Sequence, residues 1–209
     1  MRKRMIAAFL FFAVLTGVYT AAAASLVTVN VELEFDYSAA YEELELLNEI
    51  RRENGLNELV MDKDLILMAR QRAVECAVYY DHTRPNGEKF STALPIDDRF
   101  KGTFNGENIL YGTYVVGAEK ATKSWYDSPG HRANMLLPEF KSVGIACVKD
   151  VSGKSYWVQN FSTAEGIPEE NPEEGREGRI FSVDVIEELI NVHLDMSELH
   201  LQVGEEELV

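Results

Sequence analysis

The order of its hydrophobic patterns constrains the fold of this chain more than any other feature. Apolar residues recur at helical spacing from residue 41 to residue 80, and after residue 140 two β-rich runs follow, over 143–148 and 156–161. Ser152 and Gly153 lie between the two runs and predict a hairpin. Helices early and strands late predict an α+β sandwich rather than alternating βαβ units. The first helix is expected over residues 41–54, with Leu44, Leu46, Leu47 and Ile50 apolar and Gly55 as its stop. A second follows Asp62, a residue of the capping type, and carries the stripe Leu65, Met68, Ala69, Ala73, Cys76 and Tyr80, which reads as core. A third is expected over 116–126 and a short fourth after Ser128.

The chain has 209 residues, 46% of them hydrophobic, which suits one globular domain with extensions. Arg2, Lys3 and Arg4, then an apolar stretch over 6–18, then Ala22, Ala23 and Ala24 read as a secretory leader over 1–24. A retained membrane anchor is the alternative. No cysteine follows the alanines, which argues against a lipoprotein, and no span remains after cleavage. Residues 25–37 alternate loosely and read as a short strand or an ordered arm. The main domain is expected over 38–164 and an acidic linker, with six Glu, over 165–179. An extension fills 180–209, in which 180–190 reads as a strand or a short helix and 194–203 alternates again. The formal charge of −15 is uneven: residues 165–209 hold 14 acidic against 2 basic residues, residues 38–164 hold 18 against 15. No basic cluster points to nucleic acid. The acidic part suits a spacer or a solubilising tail.

Residues 125–136, Trp-Tyr-Asp-Ser-Pro-Gly-His-Arg-Ala-Asn-Met-Leu, hold the first candidate site. Ser128 can cap a helix with its hydroxyl, and Pro129 suits the first helical position. His131 then falls in the first turn, where the helix end favours a neutral imidazole able to bind a metal or take a proton. His82 and Glu107 are the other candidates. Two His and a Glu suit a divalent ion such as zinc, although no HExxH spacing is present and a capped or core histidine is the plainer alternative. Ser128 is better explained by capping than as a nucleophile. Arg132 and Asn134 are expected to pin the helix, with Arg132 also able to meet an anion. Tyr111 and Tyr114 could line a cleft or be core, and Trp125 reads as core. Cys76 and Cys147 allow one bridge in an oxidising exterior, and equally suit two small buried hydrophobes.

Several segments in one order resemble the CAP superfamily, the cysteine-rich secretory, antigen 5 and pathogenesis-related 1 proteins, in its bacterial secreted branch. They are residues 47–56, 65–75, His82-Thr83-Arg84-Pro85, Gly106-Glu107-Asn108-Ile109, the 125–136 motif and 156–161, together about 44–163. The resemblance implies an α–β–α sandwich whose cavity is lined by two His and two acids. His82, Glu107 and His131 match three of these. Ser128 stands at the position of the second acid, with Asp127 beside it. A second, short similarity links 194–205 to the first strand of a bacterial Ig-like repeat. His193 and His200 have no assigned role.

The resemblance implies a secreted or cell-surface protein. Its cavity residues His82, Glu107, Ser128 and His131 would hold a small ligand, a lipid or a divalent metal without catalysis. A metal-assisted hydrolase with Glu107 as base, and an adhesion or structural surface role carried by the tail, are the alternatives.

Overall fold

The computed structural model describes residues 24–95, 97–112, 116–169, 173–189 and 202–203. The leader apart from Ala24, Tyr114, His193, His200 and most of the 194–205 similarity lie outside the described residues.

The sequence pattern becomes three layers. Strand β1 spans Leu26–Asp36, β2 Val60–Met61, β3 Asn105–Gly112, β4 Ser142–Asp150, β5 Ser155–Ser162, β6 Arg176–Ile186 and β7 Gln202–Val203. The main path of the sheet runs β3-β5-β4-β1-β6, with β2 on β4 and β7 on β1. Helices α1 (Tyr37–Glu53), α3 (Ala118–Asp127) and α4 (Pro129–Met135) cover one face, and α2 (Lys63–Val78) covers the other. The strand period of two sorts the side chains. Val143, Ile145, Cys147, Trp157 and Phe161 pack with α1 and α3, while Ala146, Val148, Tyr156 and Val158 pack with α2.

The caps explain where the helices begin. The Asp62 carboxylate accepts from the Asp64 and Leu65 N–H groups at 3.0 and 3.1 Å and so starts α2. The Asp36 side chain accepts from Ala39 N–H at 3.2 Å and starts α1 four residues ahead of the expected position. Gly153 takes φ +85° in the β4–β5 hairpin, a conformation other residues rarely adopt. Gly144 is needed for a different reason. A Cβ there would sit 1.9 Å from the Leu65 carbonyl oxygen, where α2 crosses β4. Gly144→Ala is therefore expected to cost about 2–3 kcal/mol by pushing α2 off the sheet. Urea unfolding of the variant checks this, and an unchanged midpoint would contradict the close crossing.

Three expectations change. The two cysteines are free and buried. Cys147 points to the α1 face from β4, while Cys76 packs on the opposite face from α2, so the sheet separates them. The described parts of the expected linker, residues 165–169 and 173–179, are tied to the domain. Ile167 N–H donates to Asp62 at 2.7 Å, and residues 176–179 already belong to β6. Their Glu- and Gly-rich composition hides a strand because that stretch is exposed on an edge. Thirdly, β1 is a full strand. It pairs with β6 in one unbroken antiparallel register from Leu26↔Ile186 to Asp36↔Arg176. Asp36 closes the far end by accepting from Lys149 at 2.8 Å and from Arg176 at 2.9 Å. Among the described residues no helix is long and apolar enough to cross a membrane.

Candidate functional site

The site lies at the β3 edge of the sheet. β3 and β5 pair Glu107 with Asn160, so both side chains project to the α2 face. α2 places Arg72 opposite them, with no exposure to solvent. The guanidinium grips Glu107 twice, Nε to Oε2 at 2.8 Å and Nη2 to Oε1 at 3.2 Å. Asn160 Nδ2 donates to Oε2 at 3.2 Å. The loop after α2 delivers His82, whose Nδ1 lies 2.9 Å from Oε1. A carboxylate only accepts, so Nδ1 carries the proton and Nε2 is the outward atom. The His82 side chain is 57% exposed, so the pair opens to solvent.

A second buried carboxylate shares the same arginine. Glu75, one helical turn along α2, accepts from Arg72 Nη1 at 2.7 Å and from Arg84 Nη2 at 2.7 Å. Arg72 Nη2 also donates to the Asp81 carbonyl at 2.6 Å, which fixes the start of the His82 loop. The result is a buried chain of alternating charge, Arg84–Glu75–Arg72–Glu107–His82. Burial would raise the Glu107 carboxyl, but the hydrogen bonds from His82 and Arg72 outweigh it and hold the group below its ordinary range. The Glu107 hydrogen bond in turn raises the His82 imidazole against the opposing effect of burial.

His131 comes from the other side of β3. Its imidazole is lowered by burial first and by the neighbouring His82 second. The two rings thus titrate in opposite directions, His82 favouring the proton and His131 the neutral form. Asn108 Nδ2 donates to the His131 carbonyl at 3.1 Å, and Asn134 Nδ2 donates to the Glu107 carbonyl at 3.3 Å, so α4 is tied to β3. Arg51, fully buried, donates to the carbonyls of Met135 at 2.7 Å and Leu137 at 3.2 Å and fixes the other end of α4.

The remaining candidates are placed as follows. Ser128 sits at the N-cap of α4, but its hydroxyl makes no capping hydrogen bond. It closes α3 and opens α4 at once: its N–H donates to Trp125 O and its carbonyl accepts from Arg132 N–H. The backbone does the work expected of the side chain. Asp127 is exposed and pairs with Lys123 at 2.5 Å, so it does not supply the second acid. Arg132 lies over the Tyr126 ring, 5.5 Å from its centroid. Trp125 is fully buried, with Nε1 donating to Ile109 O. Tyr111 is half-exposed and meets Tyr80 edge-on at 4.7 Å, so the two rings stand at the surface of the β3 edge.

Glu107 is not free to ligate a metal ion. Both of its oxygens are engaged by Arg72, His82 and Asn160, which leaves the two imidazoles, His82 and His131, as the ligands a divalent ion would find, with water in its other positions. Among the described residues no group of three His, Cys, Asp or Glu is placed to hold a metal ion. The cation at Glu107 is a guanidinium. Sequence reasoning missed Arg72, Glu75, Arg84 and Asn160. The available signal was the charged pair Arg72 and Glu75, spaced i,i+3 inside an otherwise apolar helical stripe.

An α–β–α sandwich with a His–Glu pair between its edge strand and the loop after α2 defines a class that a family comparison identifies. The model for CAP, the cysteine-rich secretory protein family, matches residues 44–161, just over half of the chain, and the chain belongs to that family. The uncharacterized protein YkwD of Bacillus subtilis is 35% identical over 128 residues, 59% of this chain and 47% of that protein. The chain thus spans about half the length of that curated relative. An outer surface protein of Borrelia burgdorferi shares the fold at 16% identity and a TM-score of 0.51, over 61% of this chain and 93% of that one. An extracellular SCP-domain protein of Bacillus anthracis is 26% identical with a TM-score of 0.48, over 59% of this chain and 39% of its own. The bacterial relatives and the α+β fold agree with the sequence resemblance.

Proposed function

We propose that the chain is a secreted or cell-surface binding module of the CAP family, taking a small ligand between His82, His131 and the Tyr80–Tyr111 pair. One observation carries this reading: both buried carboxylates are locked by guanidinium groups. Glu107 and Glu75 share Arg72, and neither has an oxygen free for general acid–base work. Ser128 has no base beside it among the polar contacts described, so the hydrolase reading lacks a nucleophile as well as an acid. What remains outward-facing is His82 Nε2, the partly buried His131 ring and two half-exposed aromatic faces. Such a set suits a ligand with a polar head and an apolar body, a lipid among them. The basic, apolar and small-residue pattern of residues 1–24 and the family description support an extracellular setting. Residues 25–189 would then form the exported domain.

Native mass spectrometry of the protein purified from its own secretion medium tests the reading. A bound mass is expected in the wild type and absent in the His82→Ala and His131→Ala variants. The same mass in all three would place the ligand elsewhere. Turnover of an ester panel that disappears in both variants would overturn the non-catalytic assignment.

A further inference from the structure

We propose that Glu43 is a positioning residue for His131: it ends a relay of three side-chain amides that fixes the α4 helix against the Glu107 strand. Glu43 projects from α1 into the apolar layer between α1, α3 and the sheet, with no exposure to solvent. A fully buried carboxyl group needs a reason, because its burial is costly unless it is hydrogen-bonded.

The partner is Gln159, on the face of β5 opposite to Asn160. Gln159 Nε2 donates to Glu43 Oε1 at 2.6 Å. Asn108 Nδ2 donates to Gln159 Oε1 at 2.8 Å and also to the His131 carbonyl at 3.1 Å. Asn134 Nδ2 donates to Asn108 Oδ1 at 2.9 Å and also to the Glu107 carbonyl at 3.3 Å. The polarity of this chain has only one solution. Backbone carbonyls only accept, so the NH2 groups of Asn108 and Asn134 face His131 and Glu107. The Gln159 carbonyl oxygen must then face Asn108, and its NH2 must face Glu43. The residue at 43 has to be an acceptor. The Thr122 hydroxyl donates to the Ala118 carbonyl at 2.8 Å and lies 3.4 Å from the same Glu43 oxygen, a second and longer donor contact. Without Glu43 the buried Gln159 NH2 has no acceptor on that side, and the amide turns or the layer shifts. Either change passes through Asn108 to the two contacts that hold α4 on β3.

This role gains its meaning from the binding reading of His82, Glu107 and His131, but its test needs no ligand. In the full chain, Glu43→Gln keeps an acceptor oxygen at the same place, whereas Glu43→Met removes it and fills the volume. Nuclear magnetic resonance reads the side-chain amide signals of Gln159, Asn108 and Asn134 and the titration midpoint of His131. Glu43→Gln is expected to leave all four unchanged. Glu43→Met is expected to move the three amides and shift the His131 midpoint by about half a pH unit or more. A folded Glu43→Met protein with unmoved amides and an unmoved His131 midpoint overturns the proposal. Should Glu43→Met not fold, the wild-type chain decides. As Glu43 titrates, its effect should reach Gln159, then Asn108, then Asn134, and amide signals that stay flat while the Glu43 carboxyl signal moves would overturn the relay. Loss of ligand binding with this relay intact would count against the binding reading alone.

Discussion

Arg72→Met is expected to destabilise the protein by about 3–5 kcal/mol, the range found when one partner of a buried ion pair is removed. Arg72 is fully buried and lies between Glu107 and Glu75, whose side chains are 1% and 2% exposed. Methionine fills much of the volume but leaves two carboxylates without their shared cation. Arg84 at Glu75 and His82 and Asn160 at Glu107 then offset only part of the desolvation, and the fold must admit water or take up protons. Urea unfolding of wild type and variant measures the loss, and a cost below about 1 kcal/mol would show that the network is solvated in solution. Adding Glu107→Gln to Arg72→Met should recover part of the loss, because it removes one of the orphaned charges. The same variant releases the Asp81 carbonyl, so the His82 loop is expected to lose order together with stability.

The second large effect is a pH dependence. Burial pushes the Glu43 carboxyl up to about 8 from an ordinary 4.5, although the hydrogen bonds from Gln159 and Thr122 oppose the shift. Between these two values the folded chain holds a proton that the unfolded chain has released, so the folded state binds more protons. Stability from this group is therefore fully present below about 4.5, falls as pH rises, and is gone above about 8. The total is on the order of 4 kcal/mol. Glu43→Gln mimics the protonated form and has no charge to release. Unfolding free energies at about pH 5 and about pH 8.5 should diverge in the wild type and stay closer together in the variant, and parallel profiles would refute the buried proton. The effect runs opposite to that of Glu107, whose lowered carboxyl favours the fold as pH rises.

Much of the fold was legible in the sequence. The Asp62 cap, the stripe from Leu65 to Cys76 and the Ser152-Gly153 turn each mark a local event, and each appears within a few residues of its expected place. The first residues of β6, 176–179, were hidden for a physical reason. Period-two alternation shows only where one face is buried, and residues 176–180 are exposed throughout. The site was read in part. His82, Glu107 and His131 could be named from the family resemblance, but what holds them could not. Arg72, Glu75 and Asn160 are ordinary residue types in a helix and a strand, and only the crossing of α2 over the β3–β5 pair joins them. The Ser128 hydroxyl was read as a cap because serine favours that position. A residue shared by two abutting helices has both backbone groups engaged, and its side chain is left over.

The β1–β6 ribbon has a mechanical consequence. Its register brings Leu26 beside Ile186, and Glu187 N–H donates to Ser25 O at 2.9 Å, so the two open ends of the ribbon meet at one corner. A pull applied between those two points meets the ladder end-on and peels it one hydrogen-bonded pair at a time, rather than shearing all pairs together. Glu107 sits on β3, at the opposite edge and separated from the ribbon by β4 and β5. A pull between Ser25 and Glu187 would be spent on the ribbon, and the histidine pair would keep its geometry while the corner yields.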